Sequence, residues 1–363
     1  MISLIRLTKL PRLKRYLREV YEKGWPKEAV VLPITMPPLL PTLFALLTFI
    51  IMAPIIWIID KLKHFDLIYV RSSLLALGIL SINSLAKKTC VKLPAIAEDE
   101  LLRGRKVLAL VFKAADRFAL ARAGVVGCAT PIMLKKLVKR RGVLPRGKIV
   151  FIPPGVDRLT IEKVKSEVQA SRENKKGQRV GFIGSLSWWQ GVNILVKAVA
   201  RLKDLYDKPI SLLIVGDGPQ RKKVEKLCDE LKVDCQITGF VGHDEALKHL
   251  ASFDVLVVPS IRISTTESNV PIKVIEAWAL GVPVITTKHE IYEYMGLRDK
   301  EDVVFCEPDP DDVAEKILMV LRDEGLRRKL SERGPRLAEN FYYDKIVAGL
   351  VSAFRGSETY ASA

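Results

Sequence analysis

Short apolar runs alternate with longer amphipathic stretches along most of the chain. In the second half the runs are Val180–Ile183, Ile210–Val215, Cys235–Thr238, Val255–Val258, Val282–Ile285 and Val303–Phe305. Each is short, rich in β-branched residues and bounded by Gly, Pro, Asp or Thr, so each predicts a buried strand. The first half carries a similar series: Ile2–Leu7, Ala29–Ile34, Asp66–Val70, Val91–Ile96, Gly124–Ala129 and Lys148–Ile152. Helical spacing fills the intervals. Leu13, Leu17, Val20 and Tyr21 share one face of a basic helix over Leu10–Lys23, and further helices are predicted over 73–88, 100–121, 132–140, 311–323, 326–341 and 343–354.

Strands that are apolar throughout and separated by helices belong to parallel sheets covered on both faces. The two series meet at the turn-rich segment Pro153-Pro154-Gly155-Val156-Asp157, and the charged stretch 160–178 reads as a connector. The organisation expected is an α/β chain of two Rossmann-like domains, 1–155 and 156–340, with a C-terminal segment 341–363. In such sheets ligands sit at the carboxyl ends of the strands, where strand order reverses.

One segment breaks the alternation. Leu39 to Ile59 carries no charge over a length that would cross a bilayer, but it contains Pro41 and Pro54. A buried core helix, a helix that dips into one leaflet and a transmembrane span all fit it. Charge sharpens the picture: 58 Lys+Arg against 41 Asp+Glu give a net +17. That excess suits polyanionic surroundings, whether an anionic membrane face, phosphate-rich substrates or nucleic acid, and it also suits the Lys/Glu/Arg enrichment of a heat-adapted host. Aromatic residues are only 7% and no arginine–aromatic RNA pattern is present, so a nucleic-acid partner is not expected. Five cysteines form no C-x-x-C pair, which fits reduced thiols in a cytosolic compartment without structural zinc. Residues 1–30 do not read as a secretory signal.

Candidate chemistry lies in the loops after the strands of the second series. Gly181-Phe182-Ile183-Gly184-Ser185 ends a strand, and Gln190-Gly191 precedes a helix. Gly216-Asp217-Gly218-Pro219 and Gly239-Phe240-Val241 follow the next two strands. Glycine lets backbone approach a phosphate, and the free amides of a helix start favour an anion. The fourth motif, Glu267-Ser268-Asn269-Val270-Pro271-Ile272-Lys273-Val274-Ile275-Glu276, puts Lys273 and Glu276 on one face of a helix ended by Gly281. A carboxylate there can accept both hydroxyls of a ribose, and a lysine beside it can neutralise a diphosphate.

In order and spacing, these motifs resemble the group-1 family of retaining GT-B glycosyltransferases, and Pro271, Lys273 and Glu276 resemble a subgroup with a P-x-K-x-x-E run. The resemblance implies a cleft between the two domains and a terminal helix crossing back to the first. It implies a donor nucleotide-sugar, carrying UDP or GDP, held by Gly184, Ser185, Gln190, Gly216, Asp217, Gly239, Phe240, Val241, Ser268, Asn269, Lys273 and Glu276. Lys273, Glu276 and Glu267 are the catalytic candidates. Ser185 and Gln190 stand where the family commonly has an arginine and a lysine, so the phosphate charge falls to Lys273, with Arg262 as a second cation. The family's usual first glutamate falls at Ser268, with Glu267 one step away, and the glycine-rich loop after the first strand is absent. Glu98, Asp99 and Arg71 are the acceptor-side candidates.

Asp309-Pro310-Asp311-Asp312 mimics a metal motif but precedes a helix, where acidic residues favour the dipole, so no metal or other cofactor is expected. The function expected is sugar transfer, with retention, to a lipid-linked or glycolipid acceptor at the cytosolic face of an anionic membrane. A nucleotide-sugar-binding protein without activity is the alternative that Ser185 and Gln190 suggest.

Overall fold

The computed structural model describes residues 2–6, 30–34, 53–63, 68–93, 106–169 and 178–346. The basic helix expected over 10–23, most of the apolar run, Glu98, Asp99 and the C-terminal segment beyond 346 lie outside them. The chain divides into two compact units. The described residues up to Ile152 form the first, and those from Pro153 onward form the second.

The first unit holds six parallel strands: β1 (Ile2–Arg6), β2 (Val30–Ile34), β3 (Ile68–Val70), β4 (Thr89–Leu93), β5 (Val125–Cys128) and β6 (Lys148–Phe151). Their order is β2-β1-β3-β4-β5-β6, so the direction of strand addition reverses between β1 and β3. Ile68, Val70, Val91 and Val126 pack with Ile79, Leu80 and Leu137 of the covering helices. Pro131–Arg141 shows why these helices start and stop where they do. Thr130 accepts the Met133 amide at 3.1 Å, Pro131 suits the first turn, and Gly142 closes the helix at φ 66°. Across this core Arg141 donates to Asp116 at 2.9 and 2.7 Å, and the Ser73 hydroxyl donates to the same carboxyl at 2.6 Å.

The second unit repeats the architecture with β7 (Gln178–Ile183), β8 (Ile210–Val215), β9 (Cys235–Ile237), β10 (Val255–Val258), β11 (Val284–Thr287) and β12 (Val304–Cys306). The order is β12-β11-β10-β7-β8-β9, all parallel, and the reversal falls between β7 and β10. Val180, Phe182, Ile214, Val257 and Ile285 form one continuous core with Leu195, Val196 and Ile317.

Several expectations shift. The charged stretch after Asp157 is not a bare connector, because Arg158–Gln169 is a helix that buries Ile161 and Val164. β4 runs from Thr89 rather than Val91, and β11 ends at Thr287 rather than Ile285. The helix expected over 73–88 breaks at Ile82, whose backbone is extended, giving Ser73–Ser81 and Asn83–Ala86. Ala53–Lys63 is a helix continuing from the apolar run; it buries Ala53, Ile56 and Asp60. Among the described residues, no helix is long and apolar enough to cross a membrane.

Candidate functional site

The carboxyl ends of β7, β8, β9 and β10 collect the second unit's candidate residues. Gly184 leaves β7 at φ 132° and Gly216 leaves β8 at φ 137°, conformations that side chains rarely adopt. Both also lack room. A Cβ on Gly184 would lie 2.7 Å from the Lys273 amine, and one on Gly216 would lie 2.1 Å from the Gly184 carbonyl oxygen. The loops after β7 and β8 therefore stack on each other directly over the lysine. Gly239, at φ 70°, bridges to Gly216 and adds the loop after β9.

Lys273 and Glu276 come from the helix Ile272–Leu280, which follows β10 and starts after Pro271. Both are buried, at 7% and 5% exposure. The Lys273 amine donates to Gln190 Oε1 at 2.8 Å and lies 4.2 Å from the centre of the Phe182 ring. Burial pushes its pKa down to about 7, against the pull of Glu276. Burial likewise pushes the Glu276 carboxyl up to about 7, against the pull of Lys273. Each group is thus costly to charge in the free protein, and an anionic, hydroxyl-bearing ligand would relieve that cost. His243, at the start of the helix His243–Ala251, brings Nε2 to 3.6 Å from Glu276 Oε1.

The remaining candidates divide. Gly184, Gln190 and Lys273 are brought together directly. Ser185 shares a hydrogen bond with Ser187 at 2.8 Å on the exposed rim. Asp217 accepts from its neighbour Gly218 at 2.7 Å and from Arg221 at 3.0 Å, while Phe240 is exposed and Val241 half-buried beside it in sequence. Ser268 is spent within its own helix, donating to the Ser264 carbonyl. Asn269 donates to the Thr265 carbonyl at 3.4 Å, and its buried Oδ1 finds no partner among the described residues. Arg262, expected as a second phosphate cation, has its guanidinium forked onto Glu307 at 2.7 and 2.9 Å.

Glu267 belongs to a separate chain of bonds. It accepts the Glu290 amide at 2.8 Å and lies 3.2 Å from His289 Nδ1, whose Nε2 is 2.8 Å from the Ser260 hydroxyl. A carboxylate can only accept, so Nδ1 donates to it, and in the neutral ring Nε2 then accepts from the Ser260 hydroxyl. His289 is 1% exposed. This network fastens the ends of β10 and β11 and the helix Ser264–Ser268 to one another. Neither His243 nor His289 was visible as a site residue in the sequence. The one signal was position: each opens a helix beyond a strand of the second sheet.

The aspartates at 309–312 have structural work. Asp309 caps the helix Pro310–Arg322, Asp311 pairs with Arg201 at 2.7 Å, and Asp312 accepts the Glu307 amide at 2.6 Å. Among the described residues no group of three His, Cys, Asp or Glu side chains gathers as metal ligands do.

The buried lysine has a measurable consequence. Between pH 7.5 and 9 the folded form holds fewer protons on Lys273 than the unfolded chain, whose value is the ordinary 10.5. Stability therefore rises with pH in that window, by up to about 1.4 kcal/mol per unit. Glu276, being raised, gives a slope of the opposite sign, lying mainly between pH 4.5 and 7, below the window. Lys273→Met should flatten the rise by about 1–2 kcal/mol between pH 7.5 and 9. Urea unfolding of both proteins at the two pH values checks this, and equal slopes would contradict it.

Residues 163–337 match the model of the family described as Glycosyl transferases group 1. Among curated proteins, the lipopolysaccharide core biosynthesis glycosyltransferase LpsE of Rhizobium meliloti is 32% identical over 148 residues, covering 40% of each chain. The D-inositol 3-phosphate glycosyltransferase of Corynebacterium urealyticum is 25% identical over 230 residues, 59% of this chain and 52% of that one. This chain thus spans about half or less of the length of the curated relatives it matches. Among solved structures, sucrose-phosphate synthase from Thermosynechococcus elongatus superposes with a TM-score of 0.72 at 18% identity, covering 98% of both chains. Anabaena HepE in complex with UDP-glucose gives 0.71 at 16% identity, covering 98% and 99%. These likenesses establish the GT-B fold, with two parallel sheets. The matched residues 163–337 carry all of the site just described.

Proposed function

We propose that this chain transfers a glycosyl group from a UDP- or GDP-sugar to a lipid-linked acceptor, with retention of configuration and without a divalent cation. The observation that carries the reading is the burial of Lys273 and Glu276 beneath the Gly184 loop at the reversal between β7 and β10. HepE, similar in fold, was solved with UDP-glucose. By that likeness the nucleotide of the donor lies across the loops after β7, β8 and β9, with its ribose hydroxyls donating to Glu276.

The charge problem in the reaction is departure of the nucleoside diphosphate. Lys273 and the first turn of Ile272–Leu280 offer positive charge fixed in a buried place, which stabilises charge as it develops on the leaving phosphate. The bond from the anomeric carbon to the phosphate oxygen breaks, and the acceptor oxygen bonds to that carbon on the same face. The acceptor proton passes to the leaving phosphate. Glu267, held by His289 and the Glu290 amide, shapes the wall beyond β10. The reading without metal rests on Lys273 carrying this charge, and on Asp309, Asp311 and Asp312 being engaged in a helix cap and ion pairs.

The test is calorimetric titration of UDP and GDP in EDTA. Glu276→Ala should weaken binding by about 1.5–3 kcal/mol, or roughly 10–150-fold, with the fold intact. Unchanged affinity would remove Glu276 from the site, and binding restored only by manganese would overturn the metal-free reading. Transfer itself is checked by following radiolabel from the nucleotide-sugar into a membrane lipid extract.

The membrane part rests on the net charge of +17 and on the helix Ala53–Lys63, which exposes Trp57 at 41%, Ile58 at 51% and Leu62 at 76%. Apolar area and basic residues add in binding an anionic surface. The protein should co-float with anionic vesicles, and replacing Trp57, Ile58 and Leu62 by serine should shift it to the unbound fraction while UDP binding persists. Equal flotation of the two would sink the assignment of this helix.

A further inference from the structure

Two of the five cysteines meet in the second unit, at the amino edge of its sheet and so opposite the ligand edge. Cys228 lies near the end of the helix Arg221–Glu230, and Cys235 opens β9. The chain between them folds back at once. The Val233 amide donates to the Cys228 carbonyl at 2.9 Å, and Lys232 turns at φ 52°, in the left-handed region that residues other than glycine rarely adopt. Cys235 then stands level with Leu212 of β8, whose amide donates to the Asp234 carbonyl at 2.8 Å. Both side chains end against the same apolar core, Cys228 buried and Cys235 half-buried at its margin.

The two thiols share a hydrogen bond. The Cys235 S–H donates and the Cys228 sulfur accepts, which holds the Cys228 thiol below its ordinary value. The same bond, and then burial, holds Cys235 above its own. The other three cysteines are less reactive by comparison, because burial pushes the Cys90, Cys128 and Cys306 thiols up to about 12. Glu225, Asp229 and Asp234 lie near enough to the pair to oppose its ionisation. Their negative charge would repel an anionic disulfide such as oxidised glutathione but not a neutral peroxide.

The strand that Cys235 opens is the last of its sheet and three residues long, paired with β8. A short edge strand is among the less firmly held parts of a fold. This one leads directly to Thr238 and Gly239, where the loop after β9 joins the candidate donor site.

We propose that Cys228 and Cys235 form a reversible disulfide when the protein meets a peroxide, and that this link staples β9 to the helix Arg221–Glu230. Hydrogen peroxide takes two electrons from the two thiols. Its O–O bond and both S–H bonds break, one S–S bond forms, and two molecules of water leave. Thiols close enough to share a hydrogen bond need little movement to reach bonding distance. Closing the loop 228–235 removes freedom from the unfolded chain while the folded chain already holds the two ends together. A dithiol reductant reverses the step. The inference needs nothing of the transferase reading.

The reduced full chain is desalted, exposed to a small excess of hydrogen peroxide, quenched with catalase, denatured and titrated for free thiols. The count should fall from five to three. Trypsin cuts after Lys226, Lys232 and Lys248, so without reductant the digest should contain residues 227–232 joined to 233–248, and dithiothreitol should separate them. Cys228→Ser and Cys235→Ser should each keep all four remaining thiols under the same exposure. Oxidation should raise the unfolding midpoint of the unaltered protein by about 4–8 °C, and hydrogen exchange at Gln236 and Ile237 should slow. Retention of five thiols, a link to any other cysteine, or a link between two chains would overturn the proposal. An unchanged midpoint with the link in place would overturn the staple. If either serine variant fails to fold, the peptide map of the unaltered protein decides the pairing by itself.

Discussion

The second unit depends on one costly arrangement, the burial of Lys273 and Glu276 in the first turns of a helix at the sheet's reversal. A buried lysine without a direct carboxylate contact destabilises the fold, and so does a buried glutamate. The structure offsets part of this cost with the Gln190 carbonyl and the face of Phe182. Everything around the pair follows from the space it needs. Gly184 has no side chain because the amine lies where one would be, and Gly216 has none because the Gly184 carbonyl does. The core strands Val255–Val258 and Val284–Thr287, fully buried, hold the helix at that depth. An arginine and a lysine in the loop after β7 would bring charge from the rim. Here Lys273 lies deeper, and Gln190 accepts its hydrogen bond.

Much of this was legible in the sequence because its signals were periodic. Apolar runs separated by helical spacing gave both parallel sheets, and glycines at three successive strand ends marked one edge. The separation of Lys273 and Glu276 put both on one helical face. What was not legible depended on contacts distant in sequence. His243 reaches Glu276, and His289 joins Ser260 to Glu267, through the packing of separate elements. The helix Arg158–Gln169 was hidden because its buried stripe is narrow, Ile161 and Val164 among charged neighbours. β11 was placed two residues early at both ends because Thr286 and Thr287 look polar, yet both are fully buried, and Thr286 donates to the Val258 carbonyl at 3.4 Å.

The two units solve the same packing problem and differ in what they leave at the ligand edge. The second presents buried charge of both signs, suited to a molecule with a diphosphate and a sugar. Among the described residues the first leaves Tyr69, Arg71 and Lys92 there, beside the start of Ser73–Ser81, whose Ser73 hydroxyl donates to Asp116.

The central claim is that Lys273 is held partly uncharged by burial and is recharged by the donor. Labelling lysine with carbon-13 at the ε position and following the Lys273 resonance against pH by NMR tests this most directly, with Lys273→Met supplying the assignment. The account predicts a pKa near 7 in the free protein, moving upward when UDP is bound. An ordinary lysine value in the free protein, or a value that UDP leaves unchanged, would contradict it.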